Sequence, residues 1–251
     1  MIDPVGDRFK EIERRWRGDP IPPGFMVVRV DGRAFHTFTR GLPRPFDLNL
    51  QAAMDQTALA LVQDLPGVIC AYVQSDEISL VSWAPGDSKR ELWYGGQRQK
   101  VASVSASVAT AAFNRAFTHP GHDDPALFDA RVFALDGWEW LGLYLKWRQD
   151  DAKRNAISML VSNFVPHGEL EGVPTLVRKK LLESWVNLGD VDPGFLHGRL
   201  VARGAPEPAT GTYIHKVTNE TVEYSTTRTP WKVEPVADLA TWVSEYGASL
   251  S

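Results

Sequence analysis

Apolar and polar positions along the chain follow two periods, and each period marks a different kind of element. Residues 6–18 place Phe9, Ile12 and Trp16 three and four apart among charged neighbours, which predicts an amphipathic helix. The proline-rich run 19–24 is a stiff, extended connector. The apolar run around Val27, Val28 and Val30 then predicts a buried strand over 25–31 that ends on Asp31-Gly32. Residues 33–40 turn back, and 42–47 form a loop. Leu50, Met54, Ala58, Leu61 and Val62 recur at helical spacing over 48–64, and Pro66-Gly67 ends that helix. Two further apolar runs, 68–73 and 77–83, flank Gln74-Ser75-Asp76-Glu77 and predict a hairpin with acids at its bend.

Residues 84–89 read as loop and 97–117 as a second long helix, with Lys100, Ser103 and Ser107 sharing a face. A strand within 126–135 carries Phe128, Arg131 and Phe133, and 137–160 is helical with a Trp-rich start. The order strand–helix–strand–strand–helix–strand matches the split βαβ unit. The expected fold is therefore α+β, an antiparallel sheet with two helices on one face and both acidic signatures on its central strands. This core is assigned to residues 1–165. Residues 166–251 are expected to pack on it as one continuous domain, with a helix over 174–188 and short strands and loops over 204–232.

The two acidic signatures carry the chemistry. A strand ending in Asp31 and a hairpin tipped by Asp76 can bring two carboxylates a few ångströms apart. Carboxylates that close repel each other unless a hard divalent cation lies between them. Sites for phosphoryl and nucleotidyl transfer are built in this way. Glu77 occupies the next strand position, points to the opposite face from Asp76, and reads as a partner of the site rather than a bridging ligand.

Composition narrows the setting. Apolar residues at 43% and charged residues at 23% are ordinary for a globular protein. No apolar run approaches the ~18–20 residues of a membrane span. The start, Met1-Ile2-Asp3-Pro4, has no basic-then-apolar signal pattern. The single cysteine, Cys70, lies in an apolar run and reads as a core residue, which fits a reducing cytoplasm. A net charge of −4 speaks against a large basic nucleic-acid surface. Local ones remain open at Arg98/Lys100 and at Lys146/Arg148/Lys153/Arg154, while Arg178-Lys179-Lys180 reads as a solvated helix face.

Three motifs in consistent order over residues 6–165 resemble the tRNA-histidine guanylyltransferase family. They are Asp31-Gly32-Arg33 followed by Phe35-His36-Thr37-Phe38, the Ser75-Asp76-Glu77 hairpin, and Trp147-Arg148-Gln149-Asp150-Asp151 with Asn155. The resemblance implies a polymerase-palm-like core that works in the reverse chemical direction. ATP or GTP activates the 5′-phosphate of an RNA, and the 3′-hydroxyl of an incoming nucleoside triphosphate then attacks that end, both steps at two Mg²⁺ ions. It further implies Asp31, Asp76 and Glu77 as catalytic acids, with Asp31, Asp76 and the Gly32 carbonyl ligating metal. Arg33, His36, Arg44, Ser75 and Asn155 would hold nucleotide, and Arg98, Lys100 and Arg131 would contact RNA or its 5′-phosphate. The implied partner is tRNA or another structured RNA, and the implied assembly is a homotetramer.

One departure matters. Where members that add G to tRNA-histidine carry His-Ile-Asn-Asn, this chain has Lys153-Arg154-Asn155-Ala156. That favours the guanylyltransferase-like branch, which adds nucleotides against a template and restores 5′-truncated tRNAs. Two other readings compete with it. One is a palm-type nucleotidyltransferase or cyclase acting on small nucleotides. The other is a non-catalytic RNA-binding module, against which the three clustered acids argue.

Overall fold

The computed structural model describes residues 4–86, 89–119 and 124–249. Met1, Ile2 and Asp3 of the N-terminal pattern, and Asp87 and Ser88 of the expected 84–89 loop, lie outside the described residues. In chain order the elements begin with α1 (Pro4–Trp16), β1 (Gly24–Gly32), α2 (Phe35–Phe38) and α3 (Leu48–Asp64). The hairpin β2 (Val68–Gln74) and β3 (Glu77–Ala84) follows, then α4 (Arg98–Ala116), β4 (Phe128–Leu135) and α5 (Trp138–Val161). Next come α6 (His167–Leu170), α7 (Thr175–Leu182), α8 (Pro193–His197) and β5 (Arg199–Arg203). The chain closes with β6 (Glu207–Ile214), β7 (Thr221–Arg228), β8 (Trp231–Pro235) and α9 (Leu239–Ser249).

The main sheet runs β4-β1-β3-β2-β5-β8 with antiparallel pairings throughout. Its first four strands, with α3 and α4 between them in sequence, form the expected split βαβ unit, and β1 and β3 are central. Side chains alternate along a strand, so β1 divides its residues between two layers. Met26, Val28 and Val30 face Met54, Leu61 and Phe113 of α3 and α4. Phe25 and Val27 face Leu141, Leu145 and Val243 of α5 and α9. Both faces are covered, which explains why β1 reads as a continuous apolar run rather than an alternation. Cys70 is buried as expected, and burial pushes its thiol far above the usual range, which leaves it unreactive.

One expectation needs correction. The helix expected over 174–188 stops at Leu182. Leu182, Val186, Leu188 and Val191 all turn inward to a small cluster with Ile157 and Leu160 of α5, and four positions with that spacing cannot share one helical face. Residues 204–232 hold strands and loops as expected: β6 and β7, eight residues each, pair as a separate ribbon. Both faces of that ribbon are mostly exposed, so no period-2 burial signal marks it. The region after 165 also supplies β5 and β8 to the main sheet and lays α9 on α5. The amphipathic helix near the start is present as α1, yet Phe9, Ile12 and Trp16 are 61%, 41% and 81% exposed, so the described residues leave its apolar face uncovered.

Candidate functional site

The site forms where β1 ends and the β2–β3 hairpin turns. Asp31 stands opposite Glu77 of β3 in the register. The hairpin closes through the two residues Ser75-Asp76, and Ser75 takes φ 47°, the left-handed conformation that tight hairpin turns require. The Gly32 N–H donates to the Asp76 carbonyl at 3.1 Å, which ties the hairpin tip to the end of β1. Glycine is needed at 32 for a steric reason. A Cβ there would meet the Phe35 ring at 2.2 Å, and Phe35 is buried in the core.

Beside these strand ends lies a cleft of about 640 Å³, within the size range of small-molecule sites. Asp31, Gly32, Ser75 and Asp76 line it, with His36 and Arg44 from the segment after β1 and Asn155 from α5. Asp47 also lines it, while its side chain caps α3 by accepting from the Leu50 N–H at 2.7 Å. His36, Arg44, Ser75 and Asn155 are exposed and so accessible to a ligand.

The Asp76 carboxyl is pushed up to about 6. Burial is the largest cause, and the charges of Asp31 and Glu77 add to it. Hydrogen bonds from Ser75 and from its own backbone pull the other way. A carboxylate held in this way favours a nearby cation. The donors available, two carboxylates and the Gly32 carbonyl, are hard oxygens that suit Mg²⁺. Among the described residues no three His, Cys, Asp or Glu gather closely enough to cage a metal.

Glu77 is engaged elsewhere. Arg148 donates to its two oxygens from Nε and Nη2, both at 2.7 Å, and Gln74 and Ser79 donate at 3.3 and 3.4 Å. Arg33 is exposed and does not line the cleft; its backbone N–H donates to the Leu127 carbonyl at 2.8 Å. Arg98 and Lys100 are not brought to the site. They open α4 next to Gly96, whose carbonyl accepts from Ile21, at the end of the sheet where β1 begins. Seven residue steps of β1 separate that end from Asp31, roughly 23 Å at strand spacing. Lys100 instead sits over the Tyr94 ring at 4.2 Å. Arg131 lies on the edge strand β4 opposite Arg29 and outside the cleft lining.

The sequence reading missed the far wall. Phe195 of α8 stacks on Phe46 with ring centroids 4.0 Å apart, and both line the cleft. Arg199 lines it as well and is held by Asp55 at 2.6 Å and by the Gly194 carbonyl at 3.1 Å. The pairing of β5 with β2 and the packing of α8 on α5 bring these residues to the site, and no local motif signals either.

A sequence profile of the tRNAHis guanylyltransferase family matches residues 6–136, just over half of the chain. A tRNA(His) guanylyltransferase of Schizosaccharomyces pombe is 33% identical over 156 residues, covering 59% of this chain and 57% of that protein. The matched stretch spans about three fifths of the length of such curated relatives. A bacterial tRNA(His) guanylyltransferase-like protein solved in complex with ATP aligns with TM-score 0.79 and 31% identity over 96% of each chain. A second such structure, in complex with GTP, aligns with TM-score 0.72 and 29% identity over 97% of each chain.

Proposed function

We propose that this chain, which belongs to the tRNAHis guanylyltransferase family, activates the 5′-phosphate of an RNA with ATP or GTP and adds nucleotides to that end in the 3′-to-5′ direction. The observation that carries the reading is the Gly32–Asp76 backbone bond, which sets Asp31 and Asp76 at one edge of a cleft large enough for a nucleotide. Two Mg²⁺ ions held by Asp31, Asp76 and the Gly32 carbonyl would supply charge stabilisation at the phosphoryl oxygens. Arg44 offers a guanidinium fork and Ser75 a hydroxyl to a triphosphate. Asn155 offers an amide from the α5 side, and His36, which also lines the cleft, would lie beside the nucleotide.

Arg44→Ala and Ser75→Ala are expected to weaken nucleotide binding by about ten- to a hundredfold, the worth of one charge-assisted hydrogen bond. Calorimetric titration with a non-hydrolysable triphosphate checks this. Unchanged affinity in both variants would place the triphosphate elsewhere.

Substrate choice follows from α5. In place of His-Ile-Asn-Asn, Lys153-Arg154-Asn155-Ala156 offers no dedicated histidine, and Arg154 is paired with Asp151 at 2.6 Å. The reading is template-dependent repair of 5′-truncated tRNAs, in which base pairing supplies selectivity and the protein supplies shape and phosphate contacts. Rates on tRNA-histidine lacking its extra G, set against rates on truncated tRNAs of other identities, test it. A large preference for tRNA-histidine regardless of template contradicts it, and activity on mononucleotides alone would favour the small-nucleotide reading.

The reading includes a homotetramer. The uncovered apolar face of α1 calls for a partner, and Arg98 and Lys100, remote from their own cleft, could reach RNA bound by a neighbouring copy. A cytoplasmic setting is part of the same reading, supported by the buried free thiol of Cys70. Among the described residues no helix is long and apolar enough to cross a membrane.

A further inference from the structure

Glu77 and Arg148 form an ion pair that is 93% and 94% removed from solvent, at 7% and 6% exposure. Burying two charges costs desolvation that their attraction rarely exceeds, and well-packed apolar residues would stabilise the fold as well. The pair sits where its geometry has consequences. Glu77 pairs with Gln74 across the base of the Ser75-Asp76 turn and lies opposite Asp31 in the register. Arg148 takes both Glu77 oxygens, and its Nη2 also donates to Asp151 at 2.9 Å. Seven residues further along α5, about 10.5 Å at helical rise, Asn155 lines the same cleft.

We propose that Arg148 is a positioning residue that holds the Ser75-Asp76 turn in register with the Asn155 face of α5 and keeps the Glu77 carboxylate out of the cation's ligand set. This rests on the reading of Asp31 and Asp76 as cation ligands. Without Arg148, the Glu77 carboxylate beside Asp31 would keep only the longer contacts of Gln74, Ser79 and Arg29, and the hairpin tip would lose its two-pronged link to the helix. The helix itself would stay in place. Gln149 pins α5 independently, donating to the carbonyls of His197 and Val236 at 3.2 and 2.9 Å and accepting from the Leu239 N–H at 3.3 Å. Loss of Arg148 therefore frees the turn rather than unfolding the layer.

The test uses the full chain and the variants Arg148→Lys, Arg148→Gln, Glu77→Gln and the double variant Glu77→Gln/Arg148→Lys. Lysine keeps the buried charge and loses the two-pronged contact, so it decides the matter if Arg148→Gln does not fold. Mn²⁺ binding is measured by calorimetry and the amide exchange of Ser75 to Glu77 by NMR or mass spectrometry, with thermal midpoints as a fold control. Arg148→Lys is expected to bind Mn²⁺ about tenfold more weakly, as loss of a ligand-orienting partner does. Exchange at the turn should quicken while exchange around Gln149 is unchanged. The double variant should be no worse than the weaker single variant, because both substitutions break one contact. Wild-type Mn²⁺ affinity in folded Arg148→Lys, or losses that multiply in the double variant, would overturn the proposal. Failure of the wild type to bind Mn²⁺ would instead overturn the cation reading beneath it, and is thereby told apart.

Discussion

Replacing Asp31 or Asp76 by alanine is expected to lower the rate of nucleotide transfer at least a thousandfold, about 4 kcal/mol of transition-state stabilisation. Each carboxylate is proposed to serve both phosphoryl transfers, so activation of the 5′-phosphate and attack by the incoming nucleotide should fall together. The fold should survive. Asp31 occupies the penultimate position of β1, and Asp76 belongs to a two-residue turn whose Gly32 contact is made by backbone atoms. Single-turnover assays of each step, alongside circular dichroism, separate the cases. A variant that retains near-normal turnover in either step would remove the two-carboxylate centre from the account.

In metal-free buffer at pH 7.5, Asp76→Asn is expected to be more stable than the wild type by about 2–3 kcal/mol. Burial, with Asp31 and Glu77 beside it, raises the folded-state carboxyl from 3.8 to about 6. A raised carboxyl binds its proton more tightly in the folded than in the unfolded chain. Its stabilising contribution is therefore full below pH 4 and is lost as pH rises through 6, where the buried group must ionise. Asparagine removes that ionisation. The advantage of the variant should shrink to nothing near pH 4, and Mg²⁺ should narrow it at pH 7.5 by favouring the ionised wild type. Denaturant titrations at the two pH values with EDTA, repeated with Mg²⁺, measure it. Equal stabilities at pH 7.5 would mean that Asp76 ionises freely and that the site exerts no pull on a cation.

The parts of this molecule that could be read from sequence are those whose neighbours are close along the chain or whose pattern is long. β1 and β3 announce themselves as apolar runs because both sheet faces are covered, and the acids stand out as interruptions at their ends. α3, α4 and α5 are long enough for their apolar spacing to accumulate. The hairpin tip is local, so Ser75 and Asp76 could be assigned to a bend. What escaped depends on distant pairing. Glu77 meets Arg148 across 71 residues, and the Tyr72 hydroxyl meets the His197 carbonyl across 125. β5 and β8 are five residues each and too short to carry a period, yet they bring Phe195 and Arg199 to the cleft. Arg98 and Lys100 illustrate the converse. Their charge suggested a phosphate contact, but the direction of α4 places them at the other end of the sheet.

The central claim is metal-dependent 3′-to-5′ addition at the Asp31–Asp76 edge. Incubating the protein with labelled nucleoside triphosphates and a 5′-truncated tRNA, then scoring product length with Mg²⁺, with EDTA and with Asp76→Asn, tests it most directly. The account predicts products that lengthen one nucleotide at a time from the 5′ end and stop when the stem is complete, with none in EDTA or with Asp76→Asn. Absence of 5′ extension on any tRNA, or extension indifferent to Mg²⁺ and to Asp76, would contradict it.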